Sequence, residues 1–375
     1  MKRIAFISHA SVLNGAPISL VELVGEVLKE SEPGGIFLGF PVSGPLLERY
    51  KLPGAEIFFY AGAFMGREVL VTRPRIRSRL RKFFARNETD LVVANSLESF
   101  RAVQAAADSG IPVIWMLHEL LTDYRDRREI GEMREGALLA DRLIFNSRTA
   151  LELAPILGEG LGEKACVIYP GIPLFPRCDD AGTARRELGL KKEDVILASI
   201  GDICPQKGYE SLIRAFGIYA RDDSAARLLI IGRTPERYRG FRSRMLNLCR
   251  ELGIDDRVVF TGEKMDILPW IDAIDLLIHP SWRESFGRVI VEALAREIPV
   301  VATRSGGAEE ILDDSETGLL VPQQDPAALA EAIGRMIGCP ARAREMACRG
   351  RAVVEEKFTL NRAAAELKEE IARFR

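Results

Sequence analysis

Glu284 and Glu292 have seven residues between them in the stretch SWRESFGRVIVEALAREIPVVATRSGGAEEIL, Ser281 to Leu312. Glu284 precedes an apolar-periodic run that reads as a helix, and Glu292 falls inside that run. Eight helical steps of about 1.5 Å cover roughly 12 Å, which is about the reach from a sugar ring to a ribose across a diphosphate. One carboxylate can then accept hydrogen bonds from sugar hydroxyls and the other from ribose hydroxyls. A helix amino terminus lies between them, where unpaired amides and the helix dipole favour phosphate.

A second group precedes this stretch. Gly201 to Gly208 reads GDICPQKG, after a strand-like run and before a helical one. A glycine at a strand end lets backbone approach a phosphate closely, and Lys207 can stand as a point charge beside a diphosphate. The plain alternative is a strand-helix loop with a solvated lysine. Asn14-Gly15-Ala16 follows the first apolar run, and its amides can serve a phosphate in the same way; the alternative is an ordinary turn. His118 closes the run IPVIWML and precedes Glu119. Neutral imidazole there can hydrogen-bond a sugar hydroxyl while a neighbour fixes its other nitrogen. His9 can face the same region, whereas His279 reads as a packing residue.

Elements must hold these groups. Apolar runs at Ile4 to Ser8, Leu91 to Ala94, Val113 to Leu117, Leu143 to Phe145 and Cys166 to Ile168 read as strands, with a helix over Ile18 to Leu28. The stretch YPGIPLFPRCDD, Tyr169 to Asp180, has three prolines, which break helices and ladders alike, and reads as a linker. The pattern then restarts with strands at Val195 to Ile200, Leu228 to Ile231, Val258 to Thr261, Leu276 to His279 and Val300 to Thr303, and a helix over Tyr209 to Tyr219. Alternation of this kind predicts an α/β protein of two Rossmann-like domains, with parallel sheets covered on both faces and a cleft between them. Ligands bind beyond the carboxyl ends of such strands. Leu360 to Phe374 reads as a closing amphipathic helix.

The segment around the two glutamates resembles the donor-binding region of the family 4 retaining glycosyltransferases. Pro280, Ser281, Glu284, Phe286, Gly287, Glu292, Ala293, Pro299, Val300, Gly306, Gly307 and Glu310 carry the resemblance. It implies the GT-B fold, with an acceptor-side domain over 1–172, a donor-binding domain over 173–359, and the helix 360–375 packing back on the first. It implies transfer of a hexosyl group, with retention, from a UDP- or GDP-sugar to a hydroxyl of a glycan, lipid-linked or small-molecule acceptor, without cofactor or metal. Under it Glu284 orients the sugar, Glu292 holds the ribose, and Ser285, Phe286 and Gly287 offer amides. Gly15, Gly201 and Lys207 serve the diphosphate, and His118 lies near the transferred sugar. Reaction occurs on the front face, with the leaving diphosphate helping to deprotonate the acceptor. The chain departs from the family at Asp202, where arginine is frequent: either Asp202 faces away, or Arg233 or Arg283 supplies the second charge. Two other readings stand beside transfer: a non-catalytic sugar-nucleotide-binding subunit, and a GT-B nucleotide-sugar epimerase.

The 375 residues suit two domains, and a formal net charge of −2 gives no sign of a nucleic-acid partner. Six scattered cysteines indicate neither disulfide framework nor zinc site. The opening MKRIAFISHASV reads as a first strand rather than a signal, because its apolar run is too short, and a cytoplasmic protein is expected. Arg67 to Arg86 is strongly basic, with Ile76, Leu80 and Phe83 or Phe84 on one helical face. That face either packs on its own domain or meets the anionic inner surface of a membrane.

Overall fold

Ile4–Ser8 is apolar up to its last residue and buried at every position, as expected of a strand covered on both faces. Ile4 and Phe6 join one core cluster, with Leu20, Val24, Leu38 and Ile144. Ala5 and Ile7 join another, with Val92, Trp115 and Phe145. This period-2 split is the build of the first of two units seen in the computed structural model, Met1–Pro173 with Phe358–Arg375; the second is Leu174–Lys357. The structure describes residues 2–29, 35–61, 63–64, 67–68, 73–123, 126–158, 161–175, 181–191 and 193–374.

The first unit carries a seven-stranded sheet in the order Ala55–Phe59, Ile36–Phe40, Ile4–Ser8, Leu91–Asn95, Val113–Leu117, Arg142–Phe145, Ala165–Val167. All its pairs are parallel. The second unit carries a six-stranded parallel sheet, Val258–Gly262, Ala226–Ile231, Val195–Ile200, Leu276–His279, Val300–Thr303, Leu319–Val321. Numbered within each sheet, both contain the order 3-2-1-4-5-6. The connections reverse direction between strands 1 and 4, and the crevice beyond their carboxyl ends is where doubly wound sheets bind ligands. In the first unit this point lies between Ser8 and Asn95, and in the second between Ile200 and His279.

The expected strands are present with boundaries unchanged or moved by at most two residues. Three more join the two large sheets, Ile36–Phe40, Ala55–Phe59 and Leu319–Val321, and two two-residue strands, Ala63–Phe64 and Arg67–Glu68, pair antiparallel by themselves. The first helix is Gly15–Leu28 rather than Ile18 onward. Pro17 falls in its first turn, where no amide partner is needed. Leu360–Ala372 places Leu360, Ala363, Ala364, Leu367 and Ile371 in the first unit's core. Tyr169 to Ile172, read as linker, is pinned instead: Ile172 N donates to Phe358 O at 3.0 Å and Leu360 N donates to Ile172 O at 3.1 Å. Residues 176–180 of that stretch lie outside the described residues.

Of the basic segment, residues 69–72 also lie outside them, and Arg73–Arg86 is a helix. Its Leu80 and Phe84 are fully buried, and the Phe83 ring stacks on Phe58 with centroids 3.5 Å apart. The apolar stripe is therefore engaged in the first unit's own core. Among the described residues no helix is long and apolar enough to cross a membrane.

Candidate active site

In the second unit two loops leave the switch point together. The loop after Val195–Ile200 runs through Gly201 to a short 3₁₀ turn, Pro205–Lys207, and on to the helix Tyr209–Tyr219. Gly208 is left-handed, with φ of 68°, and a Cβ there would run into the Pro280 carbonyl. Only glycine lets this loop lie against the one after Leu276–His279. The contact is fastened where Trp282 N donates to Gln206 O at 2.9 Å, and Tyr209 OH donates to Gly201 O at 2.8 Å.

The result is a charged cluster. Lys207 Nζ donates to Glu284 Oε2 at 2.5 Å, Ser281 Oγ donates to the same oxygen at 3.3 Å, and His279 Nε2 lies 3.0 Å from it. The Glu284 backbone is held as well: its N donates to Ser305 O and its O accepts from Gly307 N, both at 2.9 Å. Burial pushes the Glu284 carboxyl up, but the Lys207 ammonium and the His279 ring outweigh burial and hold it well below the usual carboxylate range. Burial lowers the Lys207 pKa, yet Glu284 beside it more than offsets this and raises it above the usual value. Both groups are therefore charged near neutrality.

Gly287, with φ of 98°, caps the helix Arg288–Ala295, and the Phe286 side chain is buried. The amides of Ser285, Phe286 and Gly287 thus lead into a helix amino terminus. Glu292 accepts from Arg288 Nε at 2.7 Å, one turn back in the same helix. Only the interval from Arg288 is helical, so the span of eight helical rises between the two glutamates does not apply. Arg233, considered for the diphosphate, meets Asp202 instead, with Nε and Nη2 donating at 2.9 and 3.1 Å. This fork-to-fork pair neutralises the carboxylate that departs from the family pattern. His279, expected as a packing residue, is buried and also stands against Glu284.

The first unit has its own cluster at its switch point. Gly15 opens the helix Gly15–Leu28, and among the described residues, its chain neighbours and own helix backbone aside, no atom lies within 4 Å of where a Cβ on it would stand. His118 Nε2 lies 2.7 Å from Asn95 Oδ1. Burial, with a smaller contribution from His9, pushes the imidazole down to about 3, so it is neutral at physiological pH. Glu119 accepts from Ser96 Oγ, from Leu97 N at 3.3 Å and from His118 N at 3.0 Å, and burial raises its carboxyl pKa. His9 Nδ1 and Asn14 Oδ1 are buried without a hydrogen-bond partner among the described residues. Among those residues no group of three or more His, Cys, Asp or Glu is arranged to hold a metal ion.

Residues 180–353 match the family of glycosyl transferases group 1. The chain is 30% identical over 372 residues to a D-inositol 3-phosphate glycosyltransferase of Saccharomonospora viridis, covering 92% of this chain and 82% of that protein. It is 36% identical over 228 residues to the protein of the same name from Nocardia farcinica, where the match spans 59% of this chain but only 50% of the relative. Among solved structures, Anabaena HepE in complex with UDP and glucose superposes with a TM-score of 0.85 at 23% identity, over 99% of this chain and 100% of that one. With two parallel-sheet α/β domains of the GT-B type, the chain belongs to the group 1 glycosyl transferases.

Proposed function

We propose that this chain is a retaining, metal-independent hexosyltransferase that uses a nucleoside-diphosphate sugar, with UDP-glucose the first donor to test. The observation that carries this reading is the charged pair Lys207 and Glu284, set beside the amino end of Arg288–Ala295. A diphosphate draws Lys207 from the carboxylate and rests against the helix amides. Glu284 is then released to accept from the sugar hydroxyls, and Glu292 exchanges Arg288 for the ribose hydroxyls. Charge grows on the leaving phosphate in the transition state, and a preorganised cation and helix terminus stabilise it without reorganisation cost. The Asp202–Arg233 pair removes a repulsion that would otherwise favour a non-catalytic subunit. The names and contents of the relatives support a UDP-sugar donor and an acceptor hydroxyl on a polyol phosphate such as inositol 3-phosphate.

The test is a thermal-shift titration with UDP, GDP, ADP and their glucose, mannose and N-acetylglucosamine conjugates, on wild type, Lys207→Ala and Glu292→Ala. One nucleotide is expected to stabilise the wild type, by about 2.7 kcal/mol at a hundredfold excess over Kd, and to lose that effect in both variants. Turnover with inositol 3-phosphate then follows release of the nucleotide. No shift with any of these ligands would defeat the reading.

A further inference from the structure

The strand Leu91–Asn95 ends at the switch point of the first unit in a polar residue with no exposed surface, Asn95. Its side chain makes two hydrogen bonds. Nδ2 donates to Ala16 O at 3.1 Å, in the turn that Gly15 opens, and Oδ1 lies 2.7 Å from His118 Nε2. A carbonyl oxygen can only accept, so the Ala16 contact turns the NH₂ end of the amide toward Ala16 and leaves Oδ1 toward His118. Oδ1 in turn can only accept, so Nε2 must carry the imidazole proton. In the neutral ring Nδ1 then holds a lone pair. No described residue donates a hydrogen bond to it.

The surroundings hold this arrangement firmly. Ser96, next to Asn95, has φ of 77° and ψ of 157°, a region costly to any residue with a side chain. It is kept there by Ser96 N donating to Met116 O at 2.7 Å, Trp115 Nε1 donating to Ser96 O at 2.9 Å, and Ser96 Oγ donating to Glu119. Glu119 also takes the His118 amide. The backbone that presents Asn95 and the backbone that presents His118 therefore share one buried carboxylate.

We propose that Asn95 is a positioning residue: it fixes His118 as the neutral Nε2–H tautomer and so leaves Nδ1 as a fixed acceptor for a sugar hydroxyl. The hydroxyl rests on the transferase reading above, while the tautomer does not. The titratable groups around the ring are His9, Glu119 and, beyond His9, Glu98, 3.9 Å from its Nε2.

Histidine ring spectra of the ¹⁵N-labelled, ligand-free chain test the tautomer directly. With only three histidines, His118→Gln assigns the signal. The wild-type ring is expected to show a protonated Nε2 and a bare Nδ1 at pH 7. Asn95→Leu is expected to lose that single tautomer. Asn95→Asp, which keeps the shape, puts a carboxylate on the ring and raises its pKa. A wild-type ring protonated on Nδ1, or one whose tautomer survives Asn95→Leu, overturns the proposal. With UDP-glucose as donor and inositol 3-phosphate as acceptor, Asn95→Leu should lower kcat about 10- to 100-fold, the loss of one hydrogen bond, with KM for UDP-glucose little changed. Asn95→Asp should regain activity as rising pH strips the added proton; a loss independent of pH would count against the role. A wild type that never turns over would sink the transferase reading, and the ring spectra would still decide the tautomer.

Discussion

Lys207 and Glu284 lie 77 positions apart in the chain and 2.5 Å apart in the fold. Each was legible singly, because a lysine after a strand-end glycine and a glutamate before a helix are residue types with evident uses. Their pairing was not legible, and neither was His279 beside Glu284 nor Asn95 beside His118. The first pair depends on strands 1 and 4 of the second sheet being neighbours, and Asn95 beside His118 on strands 4 and 5 of the first; local spacing carries no information about either. One signal for Asn95 was present: a polar side chain closing the apolar run LVVAN at a strand's carboxyl end. The buried imidazole also has a consequence for stability. Folded His118 takes its proton near pH 3, whereas an unfolded histidine takes it near 6.5. Between these values the unfolded chain holds more protons, so stability falls as pH drops through that window. Glu119 acts oppositely, since its raised pKa makes the folded form bind a proton more readily. Comparing wild type with His118→Gln isolates the histidine. The melting temperature of the first unit should fall less steeply from pH 6.5 to 4.5 in the variant. Parallel slopes would show that His118 is not held neutral by burial.

At the scale of elements, most strands could be read because short apolar runs are bounded by turn residues. The three missed in the two large sheets each have a physical reason. Ile36–Phe40 contains Gly39, which argues against a strand interior, yet a Cβ there would run into the Phe58 ring. The glycine is present to admit a neighbouring aromatic. Ala55–Phe59 is an edge strand with Ile57 and Phe59 exposed, so its burial does not alternate cleanly. Leu319–Val321 is too short for any period to show. The basic helix Arg73–Arg86 illustrates the opposite limit. Periodicity finds its apolar stripe but cannot say what covers it, and Leu80, Phe83 and Phe84 are taken up by the first unit's core. What the helix still presents is charge, on exposed Arg75, Arg79, Arg81, Lys82 and Arg86. Any hold on anionic vesicles should then be electrostatic, seen at low salt and abolished near about 0.5 M, where the Debye length shrinks to a few Å. Sedimentation with phosphatidylserine vesicles measures this. Binding that survives high salt would mean that the stripe leaves its core and inserts.

On the scale of the whole molecule, the chain leaves the first unit at Pro173 and returns to it at Phe358. The apolar face of Leu360–Ala372 was visible in its 3.6-residue period, whereas its place in the first unit depends on contacts hundreds of positions away. One of them is a buried ion pair. Arg142 Nε lies 2.6 Å from Glu370 Oε2, with about a tenth of each side chain exposed, and Arg142 also donates to the Glu163 carbonyl. Deleting one member of a buried pair leaves an uncompensated charge and typically costs about 3–5 kcal/mol, whereas replacing both by apolar residues of similar volume is often neutral. Glu370→Ala should therefore destabilise the first unit by about 3 kcal/mol, and Arg142→Met with Glu370→Leu should recover most of that loss. Differential scanning calorimetry can separate the outcomes, because a core-bearing unit unfolds as its own transition. Only the first unit's transition should move in Glu370→Ala. If Glu370→Ala left that transition where it stands in the wild type, the helix would be held by its apolar face alone and the ion pair would have no part in closing the fold.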